Sequence, residues 1–511
     1  MLKALRFSRL YCSTFVFCGV LALYLCISLA TATTALPTSD EAMFTIPAYY
    51  LVTEGRMINP VVEPTQPWHH GIDRYQFWQP PVLFLEIALT IKMVGFSLLT
   101  VRLPSILWGL AAVIATRRIV VVATGNAAVA VAAAALVAVD SSFLAAASNA
   151  RPDMACFAAG LSGLAVYLSL RCRSLAWALG ISNGLVVLGG LSHPNGIVAA
   201  LVLIGVIIWL DRTRLSVGLL AIATCPYVVG ALAWGLYIAQ APEVFHSQFL
   251  NSLTHVAGSK PLLGHPWLSF FAEVRQRYAP MYGLLPPYTI KNFILALPLV
   301  MYLAAGAAMF VSFARQPRTM RLLLVIAGAY IVFITFLTPQ KRPYYLIYTV
   351  PWLAMITGVA LYHISAMRGR WRIVALGLAG VLLTANLVRE AAWIRGNGYS
   401  RDYVPAARFV LDRSRPNDVV MASREFFFAF GRECRLIDDW WYGAKTGRVA
   451  DFVILERNDA EFDDVQNPMI DAVRFRPVRH NYAEAFCNAR YRVYIRRGLS
   501  RANPALAGSD E

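Results

Sequence analysis

Apolar runs separated by short polar turns fill the chain as far as about residue 390, and most are as long as a bilayer is thick. A helix needs about 20 apolar residues to cross a hydrocarbon core of roughly 30 Å. Runs of this kind lie at about 10–35, 99–116, 124–143, 153–170, 174–191 and 194–210, and again at about 215–238, 291–313, 321–338, 343–365 and 372–390. The pattern predicts a polytopic all-α membrane protein with about eleven transmembrane helices. The first run follows Lys3, Arg6 and Arg9. It is longer than the apolar region of a signal peptide, so it reads as a retained span, although LATATTA holds small residues that would suit a peptidase.

Two stretches break the pattern. Residues 36–98 begin polar, with Asp40, Glu41 and a Pro-rich loop carrying Trp68, His69 and His70, and then become amphipathic. The piece WQPPVLFLEIALTIKMVGFS includes Glu86 and Lys92, which predicts an interfacial helix lying along the membrane. Beyond about Trp393 the chain becomes rich in charge and holds short β-like runs, NDVVMAS, DFVILE and YRVYIRR. Residues 1–392 therefore read as a transmembrane domain, and 393–511 as a small α/β C-terminal domain.

Charge sets the sidedness. With the N-terminus inside, the inner turns hold Arg117/Arg118, Arg171/Arg173, Arg212/Arg214, Arg315/Arg318/Arg321 and Arg368/Arg370/Arg372. Every one is basic, as the positive-inside bias requires, and one misplaced span would put the later clusters on the wrong side. The outer loops are then 36–98, 144–152, 191–193, 239–290 and 339–342, and the tail is extracytoplasmic. Composition agrees: 58% of residues are hydrophobic and 15% charged, against roughly 45–50% and about 25% in soluble proteins. The net charge of +17 is spread over these turns rather than gathered in one patch, which argues against a nucleic-acid partner. Of the eight cysteines, only Cys434 and Cys487 lie in the tail, where an oxidising compartment suggests a disulfide.

The outer loops are where chemistry is expected, because ionisable groups beside hydrocarbon are costly and usually functional. SDEAMF places Asp40 and Glu41 side by side; it also reads as a helix start capped by Ser39 or Asp40. NARPDM sets Arg151 and Asp153 around a proline suited to a helix N-terminus, consistent with capping and a local ion pair. TPQKRPYY puts Lys341 and Arg342 in an outer turn, followed by Tyr344 and Tyr345. Those cations run against the inside bias, so they either pair with a loop carboxylate or bind an anion such as phosphate. LSHPNG offers His193, as a local hydrogen-bond partner or a phosphate ligand.

Carboxylates and cations at one membrane face suit transfer of a sugar from a lipid phosphate. The leaving phosphate, with a second pKa of about 6, needs little general acid but does need cations. A carboxylate takes the acceptor proton, and the membrane confines the donor beside it.

These motifs resemble a known family. SDEAMFTIPAYYLVTEGRMINP, the Pro-rich loop and QPPVLFLEIALTIKMVGFSLLTVRLPSIL resemble the N-terminal part of GT-C fold glycosyltransferases, and are similar to bacterial lipid A aminoarabinose transferases and protein O-mannosyltransferases. NARPDM resembles the second acidic motif, and PQKRPYYLIYTVPWLAM the late outer-loop motif, so the resemblance spans roughly residues 1–360. It implies that Asp40 is the principal catalytic acid, Asp153 the second acid, and Lys341 and Arg342 the face toward the donor phosphate. Glu41 joins the expected catalytic group, and Arg151, His193 and Tyr345 the expected phosphate-binding group. The chain departs from the aminoarabinose transferases at Gln79-Pro80-Pro81 and Ser192-His193-Pro194, where they carry cations.

The expected function is inverting glycosyl transfer from a polyprenyl-phosphate sugar to a lipid, glycan or protein acceptor at the outer face of a bacterial inner membrane. A transporter or flippase of lipid-linked glycans, or a non-catalytic assembly partner, are the rival readings. No His or carboxylate spacing marks a dedicated metal site, but a divalent cation shared between carboxylate and phosphate stays open.

Overall fold

Each apolar run folds as a helix because its backbone groups can be satisfied only within the segment once it lies in lipid. A computed structural model describes residues 2–251, 265–286, 288–338, 341–367, 369–431, 433–456 and 473–498. Parts of four expected segments lie outside the described residues: 252–264 and 287 of the long outer loop, Pro339 and Gln340 of the late loop, Arg368 of the last basic turn, and several stretches of the tail including its end. The helices are α1 (Leu2–Thr34), α2 (Ser39–Glu54), α3 (Val82–Val94), α4 (Leu98–Thr124), α5 (Ala127–Val139), α6 (Ser141–Ala147) and α7 (Pro152–Leu170). They continue with α8 (Leu175–Gly190), α9 (Gly196–Asp211), α10 (Val217–Ile238), α11 (Ile290–Val311), α12 (Arg318–Leu337), α13 (Val350–Ala366) and α14 (Arg370–Gly396).

Each apolar run named above falls on one of these helices or helix pairs, though not all have the length expected. Among the described residues, eight helices are long and apolar enough to cross a membrane. The run at 124–143 is broken: α5 and α6 meet at a 65° bend. Asp140 causes the break, because its carboxylate caps α6 by accepting the amides of Ser142 (2.9 Å) and Phe143 (3.1 Å). The runs at 174–191 and 343–365 form shorter helices, of 16 and 17 residues. The chain is thus a multi-pass membrane protein.

Helix α3, of 13 residues, is too short to span. It packs against α2 and α4 through Leu83, Phe84, Ile87 and Ile91, and exposes Leu85, Leu89 and Met93 along one stripe. Glu86 accepts a hydrogen bond from the Trp108 indole at 2.9 Å, which ties α3 to α4.

The two ends of the bundle are chemically distinct. At one end Arg118 donates to Ser169, Thr319 donates to the Ala123 carbonyl, and Arg171 and Arg214 share the buried Asp211. The basic turns at 117–118, 171–173, 212–214 and 315–321 therefore gather there. The opposite end carries α2, the loop 55–81 and the C-terminal segment.

That segment builds a five-stranded mixed sheet of order β2-β1-β3-β5-β4 from β1 (Val419–Met421), β2 (Arg435–Ile437), β3 (Phe452–Glu456), β4 (Tyr482–Cys487) and β5 (Tyr491–Arg496). It does not close its own core. Ala42 and Ile46 of α2 lie in one apolar cluster with Phe426, Phe427 and Phe430, and Val62 forms a β-bridge with Asp438.

The expected disulfide is not present: Cys434 and Cys487 are both free. Cys434 directly precedes β2 and Cys487 ends β4, at opposite edges of the sheet. Four strand spacings of about 4.8 Å separate them, and a disulfide tolerates Cα atoms no more than about 7 Å apart. The Cys434 thiol donates to Ser414 Oγ at 3.2 Å instead.

Candidate functional site

The site forms where α1 ends and α2 begins. Thr38, rather than Ser39 or Asp40, caps α2. Its hydroxyl accepts the Glu41 amide at 3.2 Å, and Glu41 accepts the Thr38 amide at 3.0 Å, completing a capping box. Asp40 and Glu41 then project about 100° apart on the helix and meet different surroundings.

Glu41, expected to act beside Asp40, faces inward and its side chain is 0% exposed. It takes a bidentate pair from Arg102, with both N–O distances at 2.7 Å, and the Ala150 amide at 2.9 Å. Arg102 spends its other donors on the carbonyls of Ala32, Ala35 and Leu36, groups left without partners where α1 ends. Every guanidinium proton is satisfied, so burial of this pair is tolerated. The RLPS segment thus pins α4 to the α1–α2 corner, and Glu41 has no free oxygen for a substrate.

Asp40 faces outward, with 54% of its side chain exposed, and pairs with Arg151. Arg151 bridges it to Asp153, whose Oδ2 lies 3.0 Å from Arg151 Nε, and packs over the Tyr344 ring at 3.6 Å. Pro152 opens α7, placing Asp153 in its first turn. Asp153 is buried, and its Oδ1 has no hydrogen-bond partner among the described residues but faces His193 Nε2 at 3.9 Å. His193 Nδ1 accepts the Asn195 amide at 3.1 Å. Burial lowers the His193 pKa, with Asp153 opposing and Arg151 assisting, so the imidazole is neutral. Tyr345 stands against this ring, with centroids 5.8 Å apart. Asp40, Arg151, Asp153, His193 and Tyr345 are therefore brought together.

The late-loop cations divide. Lys341 is buried and pairs with Glu273 at 3.1 Å, while Arg277 holds the same carboxylate at 2.6 Å and Thr338 at 2.9 Å. This is pairing with a loop carboxylate, one of the two readings open for it in the sequence. Burial lowers the Lys341 pKa, against the pull of Glu273. Arg342 is exposed and has no ion pair among the described residues, at the start of the 3-10 turn Pro343–Tyr348. Sequence reasoning missed Glu273 and Arg277, whose spacing of four on one helical face was the available signal.

Two cavities flank this cluster. A cleft of about 400 Å³ takes in Asp40 and Met43 of α2, Trp68, His69 and Trp78 of the following loop, and Arg424, Asp438 and Trp440 of the C-terminal segment. A larger cavity of about 780 Å³, mostly apolar, lies at the other end of α2, lined by Leu51, Leu85, Trp234 and Tyr237 with Arg56 and Arg74. Leu191, two residues before His193, also lines it. Among the described residues no three His, Cys, Asp or Glu side chains are grouped to hold a metal ion.

A helical membrane bundle with an amphipathic α3, an acid at the start of α2 and a small sheet closing over it has the architecture of GT-C fold proteins. The chain superposes on ArnT from Cupriavidus metallidurans in the apo state with a TM-score of 0.60 at 14% identity, covering 94% of this chain and 97% of that one. The same protein bound to undecaprenyl phosphate gives 0.60 at 14% identity, over 96% and 99%. The archaeal oligosaccharyltransferase AglB from Archaeoglobus fulgidus, in complex with an inhibitory peptide and a dolichol-phosphate, gives 0.53 at 13% identity, over 89% and 71%. At these identities the likeness establishes the fold. No family model matches the sequence, and no curated protein sequence matches it.

Proposed function

We propose that the chain is an inverting glycosyltransferase. In this reading it moves a sugar from a polyprenyl-phosphate carrier to an acceptor at the outer face of a bacterial inner membrane. It spans the membrane about eleven times, the broken pair and the two shorter helices included, with its N-terminus inside and its C-terminal domain outside. The observation that carries the reading is the contrast among three acids. Glu41 and Asp153 are enclosed, whereas Asp40 keeps half its carboxylate open to a cleft while Arg151 orients it.

Asp40 is the base: the acceptor oxygen bonds to the anomeric carbon, the bond from that carbon to the phosphate oxygen breaks, and the acceptor proton passes to the carboxylate. Asp153 and His193 hold Arg151 in place. Arg342, without an ion pair among the described residues, lies near Tyr344 for the leaving phosphate, while Lys341 anchors the loop from which Arg342 projects. The larger, mostly apolar cavity suits the prenyl chain of the donor. That solved neighbours bind undecaprenyl phosphate and dolichol-phosphate supports this class of donor.

Mass spectrometry of lipid extracts from cells carrying the native protein or Asp40→Asn, matched for expression, tests the proposal. The variant is expected to accumulate one polyprenyl-phosphate sugar while a glycan, lipid or protein loses that sugar. Indistinguishable extracts, with the variant still complementing a deletion, would leave Asp40 a structural carboxylate and favour a transporter of lipid-linked glycans.

A further inference from the structure

The cleft above Asp40 has a composition that the glycosyltransferase reading does not explain. Trp68, Trp78 and Trp440 line it from two different parts of the chain. Trp440 is 52% exposed, and Arg474 packs on its ring at 3.6 Å, with the Arg474 Nε donating to the Trp440 carbonyl at 2.7 Å. Trp78 is held by His69, with ring centroids 5.7 Å apart. These contacts fix two large apolar faces at low entropic cost, as aromatic recognition sites require.

The charges around the cleft are already matched. Asp40 pairs with Arg151, Glu63 with Arg448 at 2.7 Å, and Asp438 with Arg424 at 2.6 Å. Burial, aided by Arg424, pushes the His69 pKa down to about 3, so this side chain is uncharged. Its Nδ1 has no hydrogen-bond partner among the described residues. Among the described residues lining the cleft, an anion would meet three carboxylates, each with its own arginine, and no further cation, which disfavours a phosphate. An uncharged ring with hydroxyls would find aromatic faces, paired carboxylates able to accept, and a neutral imidazole.

We infer that the Trp68–Trp78–Trp440 cleft is the acceptor subsite and that the acceptor is an uncharged sugar presenting a hydroxyl to Asp40. This rests on the glycosyltransferase reading and narrows it to transfer onto carbohydrate. The sugar is assigned to the acceptor, not the donor, because the cleft lies at the N-terminal end of α2. The cavity suited to the donor's prenyl chain lies at its C-terminal end, about 20 Å along the helix, with Leu191, two residues before His193, on its wall.

The test uses the full-length protein in nanodiscs and saturation-transfer NMR. The probes are methyl glycosides and disaccharides of neutral hexoses and N-acetylhexosamines, with hexose phosphates alongside. Undecaprenyl phosphate binding is measured on the same samples. Saturable binding of one neutral sugar, weakened about tenfold or more by Trp440→Ala and by Trp68→Ala, is expected, the order seen on truncating an aromatic anchor. With the donor sugar then identified, Trp440→Ala should raise KM for the acceptor and not for the donor.

Binding of undecaprenyl phosphate without any neutral sugar, tighter binding of hexose phosphates, or a KM effect confined to the donor would each overturn the inference and leave the transferase standing. Failure to bind undecaprenyl phosphate would instead undermine the donor on which it rests. Melting curves on each variant separate lost binding from lost fold, and Trp440, being largely exposed, is expected to melt as the native chain does.

Discussion

Asp40 and Glu41 are chemically near-identical neighbours, yet a rotation of about 100° on the helix places one in the open and the other in an enclosed ion pair. Removing one partner of a fully buried ion pair leaves the other charge stranded, at a cost of about 3–5 kcal/mol. Glu41→Gln, which abandons the enclosed Arg102, should therefore lower the melting temperature of the detergent-solubilised protein sharply and reduce expression. Asp40→Asn should leave melting almost unchanged and slow sugar transfer by roughly 10²–10⁴-fold. A second buried acid gives a pH signature. Burial raises the Glu425 pKa from 4.5 to about 7, with the Ser423 hydroxyl only partly opposing. Between those values the unfolded chain has released its proton while the folded chain keeps it, so stability falls as pH rises through this window and then levels off. Melting from pH 4.5 to 8 should show this loss in the native protein, and Glu425→Gln should remove that part of the slope. At this scale the sequence pointed to Asp40, Arg151, Asp153 and His193, which the fold brings together. It could not separate Asp40 from Glu41, nor Lys341 from Arg342, because the deciding partners, Arg102 and Glu273, lie more than sixty positions away in the chain.

Among the elements, those with strong periodicity or long apolar content were readable, and those decided by tertiary pairing were not. The helices and the runs that became β1, β3 and β5 follow from composition. Strand β2 has three residues and β4 reads YAEAFC, with a bulge between Glu484 and Phe486; neither carries a strand pattern of its own. The break at Asp140 was legible in principle, since Asp-Ser-Ser is a cap signal, but an unbroken apolar run outweighed it. Tyr302 also donates to Asp140, at 2.9 Å. Asp140→Ala removes the cap and strands that buried hydroxyl, so a loss of about 1–3 kcal/mol is expected in melting experiments. Cys434 and Cys487, on opposite edges of the sheet, should both be alkylated when unreduced, denatured protein is treated with iodoacetamide and analysed by mass spectrometry. A protected pair would contradict the strand order.

The molecule as a whole is polarised, with basic turns at one end and the acid–arginine cluster, both cavities and the sheet at the other. That separation puts the four described basic turns on one side of the bundle, the arrangement a positive-inside protein requires. The sheet at the second end is not an appendage. Because Ala42 and Ile46 share a core with Phe426, Phe427 and Phe430, ending the chain at Gly396 should expose that face of α2. Such a truncation is expected to yield a protease-sensitive protein without transfer activity, as judged by limited digestion and the lipid assay.

The shared core also sets an order of events during synthesis. Helix α2 is made near the start of translation, but its packing partners emerge some 380 residues later. At about 5–20 residues per second this is a delay of roughly twenty to eighty seconds. During that time Asp40 has no opposite wall, and a donor lipid reaching it would meet open water. On the function proposed above, competence for transfer is thereby tied to completion of the polypeptide, and a ribosome that stalls anywhere before the sheet would leave behind a protein unable to waste activated sugar.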